Sequence, residues 1–163
     1  MEAQAKNSWR SCLRIVPGNA PVADNVVLDT SALLTLTGNE PGADEVQAYI
    51  VDAIAGRIQL FASFATLTEV EYITAQEEGV EISRQRLADL NALPIQWLHS
   101  DAALCHEAAT LKVAHKISFA DAFVAATARR FDAILVHKDP EFDALAGDLD
   151  QHKLPPKPSP SEG

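Results

Sequence analysis

Short, continuous apolar runs alternate along this chain with stretches whose apolar residues recur at helical spacing. Val26–Asp29 is a short β-branched run that reads as a strand, Ile58–Ala62 reads as a second strand, Pro94–Leu98 as a third and Ala133–Val136 as the last. Helical patterning covers the stretch after Ser31, the segment from the Asn39-Glu40-Pro41-Gly42 turn to about Ala55, and then Thr66–Glu78, Ser83–Ala92, Asp101–His115 and Ser118–Arg130. Strands that are apolar throughout, rather than alternating, are buried on both faces. Separated by helices, they predict an α/β fold with a parallel sheet covered on both sides. In such sheets ligands bind outside the carboxyl ends of the strands.

The pattern fades at both ends. Residues 1–24 hold Pro17, Gly18 and Pro21 and show no sustained period, so they are expected to extend from a domain spanning 25–150. Residues 151–163, with Pro155, Pro156, Pro158 and Pro160, are expected to form a flexible, Pro-rich tail.

A length of 163 residues suits one domain with a sizeable core, and 47% hydrophobic with 22% charged residues is a globular composition. The net charge of −10 weighs against a nucleic-acid partner unless the acids are massed at a metal site. Between Lys112 and Lys138 the balance reverses locally: Lys112, Lys116, Arg129, Arg130 and Lys138 face only Asp121 and Asp132. No apolar run approaches the roughly 20 residues of a membrane span. The N-terminus carries Lys6, Arg10 and Arg14 without a signal peptide's apolar stretch. Cys12 and Cys105 lack metal-ligand spacing, and a reduced, cytoplasmic protein is the simplest reading.

Four acidic residues, far apart in sequence, each follow an apolar run: Asp29 in Val-Val-Leu-Asp-Thr-Ser, Glu69 in Ala-Thr-Leu-Thr-Glu-Val, Asp121 in Ser-Phe-Ala-Asp-Ala-Phe and Asp139 in Ile-Leu-Val-His-Lys-Asp-Pro. Each is also explained by helix capping. Asp29, Thr30 and Ser31 are N-cap types, Thr66 with Glu69 has capping-box spacing, Ser118 with Asp121 nearly so, and Asp139 precedes a proline. Capping puts Asp29, Glu69 and Asp139 at the carboxyl edge of the sheet, whereas Asp121 follows a helix–helix connection. If the four converge, their repulsion matters: two carboxylates about 4 Å apart repel by roughly 4 kcal/mol at an effective dielectric near 20. A divalent cation relieves it, and oxygen-only ligands suit Mg²⁺ or Mn²⁺, as one ion or as a pair. Such a site serves phosphodiester hydrolysis.

These residues resemble the PIN domain family, and most closely the ribonuclease toxins of VapBC-type toxin–antitoxin pairs. The matching pieces are Val27-Leu28-Asp29-Thr30-Ser31-Ala32-Leu33, Asn39-Glu40-Pro41-Gly42-Ala43, Thr66-Leu67-Thr68-Glu69-Val70, Ser118-Phe119-Ala120-Asp121-Ala122-Phe123 and Asp139-Pro140-Glu141-Phe142. No single piece is specific; their order is. The resemblance implies a three-layer α/β/α sandwich with a central parallel sheet of four to five strands. It also implies Mg²⁺- or Mn²⁺-dependent cleavage of RNA, homodimerisation and inhibition by a cognate antitoxin. By position, Asp29, Glu69, Asp121 and Asp139 match the family's catalytic, metal-holding acids, and Ser31 the hydroxyl that supports them. His137 departs from a pattern that often has Thr or Ser there; it either orients a phosphate or water or is a packed strand residue.

Three further residues have a weaker claim. Asp143 lies four residues after Asp139, within reach of the same helix face. Lys116, before the Ser118 helix start, is the better of the candidate substrate contacts, ahead of Arg129, Arg130 and Lys138. Two other functions fit parts of the pattern. One is a non-catalytic module binding RNA or protein. The other is an aspartyl-phosphate phosphotransferase using Asp29, which lacks the second Asp expected where Ser31 stands.

Overall fold

The structure, a computed structural model, describes residues 25–157. The expected N-terminal extension and the last residues of the expected tail lie outside these. Five parallel strands form one sheet: β1 (Asn25–Leu28), β2 (Gln59–Ser63), β3 (Ile95–Leu98), β4 (Ile134–His137) and β5 (Gln151–Lys153), in the order β3-β2-β1-β4-β5. Around it pack α1 (Thr30–Gly38), α2 (Ala43–Ile54), α3 (Phe64–Glu78), α4 (Val80–Asn91), α5 (Ala102–Ala114), α6 (Phe119–Arg130) and a short 3-10 helix, Pro140–Leu145.

Period-two alternation along the buried strands builds two cores. Val27, Phe61 and Leu135 face one cluster with Leu104, Leu111, Phe123, Val124 and Phe142, from α5, α6 and the 3-10 helix. Val26, Leu28, Leu60, Ala62 and Val136 face the other with Leu33, Val46, Tyr49, Ile50 and Leu90, from α1, α2 and α4. The molecule is thus the expected α/β/α sandwich.

Three boundaries differ from the sequence reading, the helix expected from Ser83 beginning at Val80, directly after Gly79. The helix expected from Thr66 begins at Phe64, capped by Ser63, whose hydroxyl accepts from the Ala65 N–H. Thr66 is therefore not a cap; its hydroxyl is buried with no hydrogen-bond partner among the described residues, and Glu69 falls in the second turn. The strand ending at Val136 is not the last: β5 pairs with β4, Leu135 opposite Gln151 and His137 opposite Lys153. The domain thus runs past residue 150 to Leu154, whose side chain is 2% exposed. A polar edge strand of three residues carries no apolar signal.

The strand order fixes where a site forms. β1 connects to β2 on one side, while β4 lies on the other, so β1 and β4 flank a switch point at the carboxyl edge. There Leu28 pairs with Val136, and the Asp29 N–H donates to the Val136 carbonyl at 3.0 Å.

Candidate active site

Asp29 leaves β1 at this edge and caps α1. Its Oδ2 accepts from the Ser31 N–H at 3.0 Å and from the Ser31 hydroxyl at 2.6 Å. The same Ser31 Oγ accepts from the Lys138 N–H at 2.8 Å, which ties the loop after β1 to the loop after β4. Asp139 leaves that second loop as the cap of the 3-10 helix, accepting from the Glu141 N–H at 2.8 Å, with Pro140 at the first helical position. Asp29 and Asp139 are thus caps, as foreseen in the sequence, and they carry their carboxylates to the ends of β1 and β4.

Glu69 reaches the cluster from α3. Its Oε2 accepts from the Thr30 hydroxyl at 2.5 Å, so the residue beside Asp29 orients the second acid. Asp121 comes from α6, which feeds directly into β4 and so starts at the carboxyl edge. Ser118 caps α6: its Oγ accepts from the Asp121 N–H at 3.0 Å and donates to Asp121 Oδ2 at 2.6 Å.

The electrostatics give the convergence its chemical consequence. Asp29 is 3% exposed and its carboxyl is pushed up to about 6, first by burial, with the Glu69 charge adding to it and the Ser31 hydrogen bonds opposing. Asp121 is pushed up to about 7, first by burial, then by a hydrogen bond with Glu141 and the charges of Asp29 and Asp139. Every member of the quartet acts on another through its charge. Around buried Asp29 and Asp121, Glu69 and Asp139 are half-buried and Glu141 is exposed, so the cluster opens to solvent on one side.

Residues 26–148 match the model of the PIN domain. The chain belongs to the PIN domain family. No curated protein sequence matches it. Among solved structures similar to this PIN domain are VapBC2 from Rickettsia felis bound to a promoter DNA fragment (15% identity, 80% of this chain and 99% of that chain covered, TM-score 0.65) and VapBC-1 from nontypeable Haemophilus influenzae (22%, 79% and 97%, TM-score 0.59). The Mycobacterium tuberculosis toxin VapC20, described as cleaving the sarcin–ricin loop, is similar over 76% of this chain and 95% of its own (17% identity, TM-score 0.59). At these identities the likeness is one of fold.

The donors of this PIN site are oxygen throughout, which fits a hard divalent cation in kind. Among the described residues, no three His, Cys, Asp or Glu side chains are gathered as a ready cage. The carboxylates instead lean on Ser31, Thr30, Ser118 and Glu141, each using one side of an acid that has lone pairs to spare. Mg²⁺ keeps several of its waters and asks for few direct carboxylates, so this looser set still fits.

The remaining candidates fall in different places. His137 is fully buried; its Nδ1 donates to the Asp139 carbonyl at 2.9 Å, its Nε2 lies 3.0 Å from Gln151 Oε1, and burial lowers its pKa. It braces the Asp139 loop from behind, as a packed strand residue. Asp143 pairs with Lys153 at 2.6 Å, because a 3-10 helix, at about three residues per turn, does not return i+4 to the same face. Lys116 is exposed in the loop before α6. The positive stretch seen in sequence is largely neutralised in space: Arg129 pairs with Glu107, Arg130 with Asp101 and Lys138 with Glu40.

Two contributors were missed in sequence. Thr30 holds Glu69, and Glu141 joins Asp121 while its Oε2 accepts from the Ser118 N–H at 2.8 Å. The signal for Glu141 was available: an acid two residues after a capping Asp with Pro between begins the same short helix.

Proposed function

We propose that this PIN domain is a metal-dependent endoribonuclease and the toxin of a type II toxin–antitoxin pair. The observation that carries the reading is the gathering of Asp29, Glu69, Asp121 and Asp139 at the β1–β4 switch point, where burial first, and the charges of neighbouring acids after it, push the Asp29 and Asp121 carboxyls up to about 6 and about 7. A site shaped only by helix capping has no use for that conflict. The toxin part rests on fold likeness to VapBC proteins, and the choice of RNA on a neighbour described as a toxin cleaving the sarcin–ricin loop.

Asp29, Glu69, Asp121 and Asp139 would hold Mg²⁺ or Mn²⁺. When bound, the ion supplies countercharge and the Lewis acidity that phosphodiester hydrolysis needs. The protein's own part is orientation. Ser31 fixes Asp29, Thr30 fixes Glu69 and Ser118 fixes Asp121, so the carboxylates need little rearrangement. The hydrogen bond between Asp121 and Glu141 requires a proton on one of the two carboxyls, and that proton leaves when both serve as anions. The working state is a homodimer in the cytoplasm, silenced by a cognate antitoxin.

The test is cleavage of a single-stranded RNA by purified protein. Activity is expected with Mg²⁺ or Mn²⁺ and not in EDTA, and a loss of about 100-fold or more is expected for Asp29→Asn and Asp121→Asn protein that melts normally. Cleavage that persists in both folded variants, or no cleavage and no Mn²⁺ binding by the native chain, contradicts the reading; the latter is what a non-catalytic module gives.

A further inference from the structure

We propose that Phe119 is a stacking platform for an unpaired RNA base beside the scissile phosphodiester, with Lys116 contacting the adjoining backbone; this rests on the nuclease reading of the acid site. Of the chain's six phenylalanines, Phe61, Phe123 and Phe142 are buried and Phe64 and Phe131 half-buried, whereas Phe119 is 68% exposed. Among the described residues it is the most exposed Phe, Tyr or Trp ring, and little of it is buried in the fold.

Its place is set by the site. Phe119 is the first residue of α6, between the cap Ser118 and the acid Asp121. Helical side chains lean back toward the helix N-terminus, which here is the carboxyl edge where the acids gather. Phe119 packs edge-to-face on buried Phe123 at 5.1 Å, which packs in turn on half-buried Phe64 at 5.0 Å, so the exposed ring is seated on a core ring beside the site. This seat holds the Phe119 ring while leaving most of its surface in water.

The loop presenting it is braced at each step. His115 pairs with Asp148 at 2.7 Å, Lys112 Nζ donates to the Ile117 carbonyl at 2.8 Å, Ile117 is 4% exposed, and the Ser118 N–H donates to Glu141. Between these anchors Lys116 and Phe119 point out from a fixed backbone. A rigid aromatic next to a cation matches single-stranded nucleic acid, whose bases stack on aromatic faces with little regard to sequence. A protein partner is the weaker fit, since it buries an apolar cluster, whereas Lys116 and Ser118 before Phe119 in the chain, and Glu141 hydrogen-bonded to the Ser118 N–H, are exposed and polar.

The experiment uses short single-stranded RNAs carrying 2-aminopurine at successive positions, titrated with full-length protein in EDTA, and cleavage of the same RNAs in Mn²⁺. Native protein is expected to quench one position strongly. Phe119→Tyr retains the quench, while Phe119→Leu loses it and weakens RNA binding about tenfold, with unchanged melting. Phe119→Leu protein that binds and quenches like the native chain overturns the platform while leaving the nuclease intact, as does unchanged RNA binding with loss of a co-purifying protein. Native protein that neither binds nor cuts RNA removes the nuclease reading and the platform with it.

Discussion

Asp29 and Asp121 hold their protons more tightly than free carboxyls do, at about 6 and about 7 against 3.8 for the ordinary group. Between those values the native state binds more protons than the unfolded chain, so stability without a cation falls as pH rises through this window. Asn removes the charge yet still caps a helix. In EDTA at about pH 8, Asp29→Asn is therefore expected to be more stable than the native protein by roughly 1–3 kcal/mol, an advantage that vanishes near pH 4. Mn²⁺ reverses the order by binding the native fold alone. Urea titrations at the two pH values, with and without Mn²⁺, check both signs. Glu141 makes a second, separable prediction. Its hydrogen bond raises Asp121, so Glu141→Gln, whose amide donates to a carboxylate instead, lowers the Asp121 midpoint. Carboxyl carbon shifts followed by NMR through the titration report it directly; an unmoved midpoint contradicts the coupling.

Elements divide by how much of their cause is local. β1, β2 and β4 were legible because a strand buried on both faces is mostly apolar, β3, an edge strand with exposed Gln96, from Ile95, Trp97 and Leu98, and α1, α5 and α6 because Asp29, Asp101 and Ser118 cap them in sequence-local fashion. β5 was not legible, because Gln151, His152 and Lys153 gain their place from partners far away. His152 lies between Tyr49, 2.8 Å from its hydroxyl, and Glu45, at 2.7 Å, and Leu154 fills the core behind. The chain then crosses Gly42, where φ is +94° and an added Cβ would stand 2.9 Å from Pro155 Cδ and 3.3 Å from Leu154 Cβ. Gly42→Ala is expected to cost about 1–3 kcal/mol, read from the urea midpoint, through backbone strain and displacement of this crossing segment. Little change would mean that the segment beyond β5 does not bear on the turn. The arrival of Asp121 at the site lies between these cases. The sequence reading leaned on family resemblance for it, yet a helix that runs straight into a parallel strand must begin at that strand's carboxyl edge.

At the scale of the molecule, the acids at the switch point are a part of the net charge of −10 that a cation would offset, while basic residues elsewhere are mostly held in pairs such as Arg130–Asp101. The first was foreseen along the chain; the second was not, because the positive run from Lys112 to Lys138 is local in sequence and its members pair with separate acids in space. What the fold contributes is one edge at which four separately explained caps and turns become one site. Titration of the full-length protein with Mn²⁺, followed by loss of the free-ion paramagnetic resonance signal, tests that claim most directly. The account predicts saturable binding to the native protein that Asp121→Asn, though folded, abolishes or weakens at least about tenfold. Binding that is absent in the native protein, or unaltered by Asp121→Asn, contradicts it.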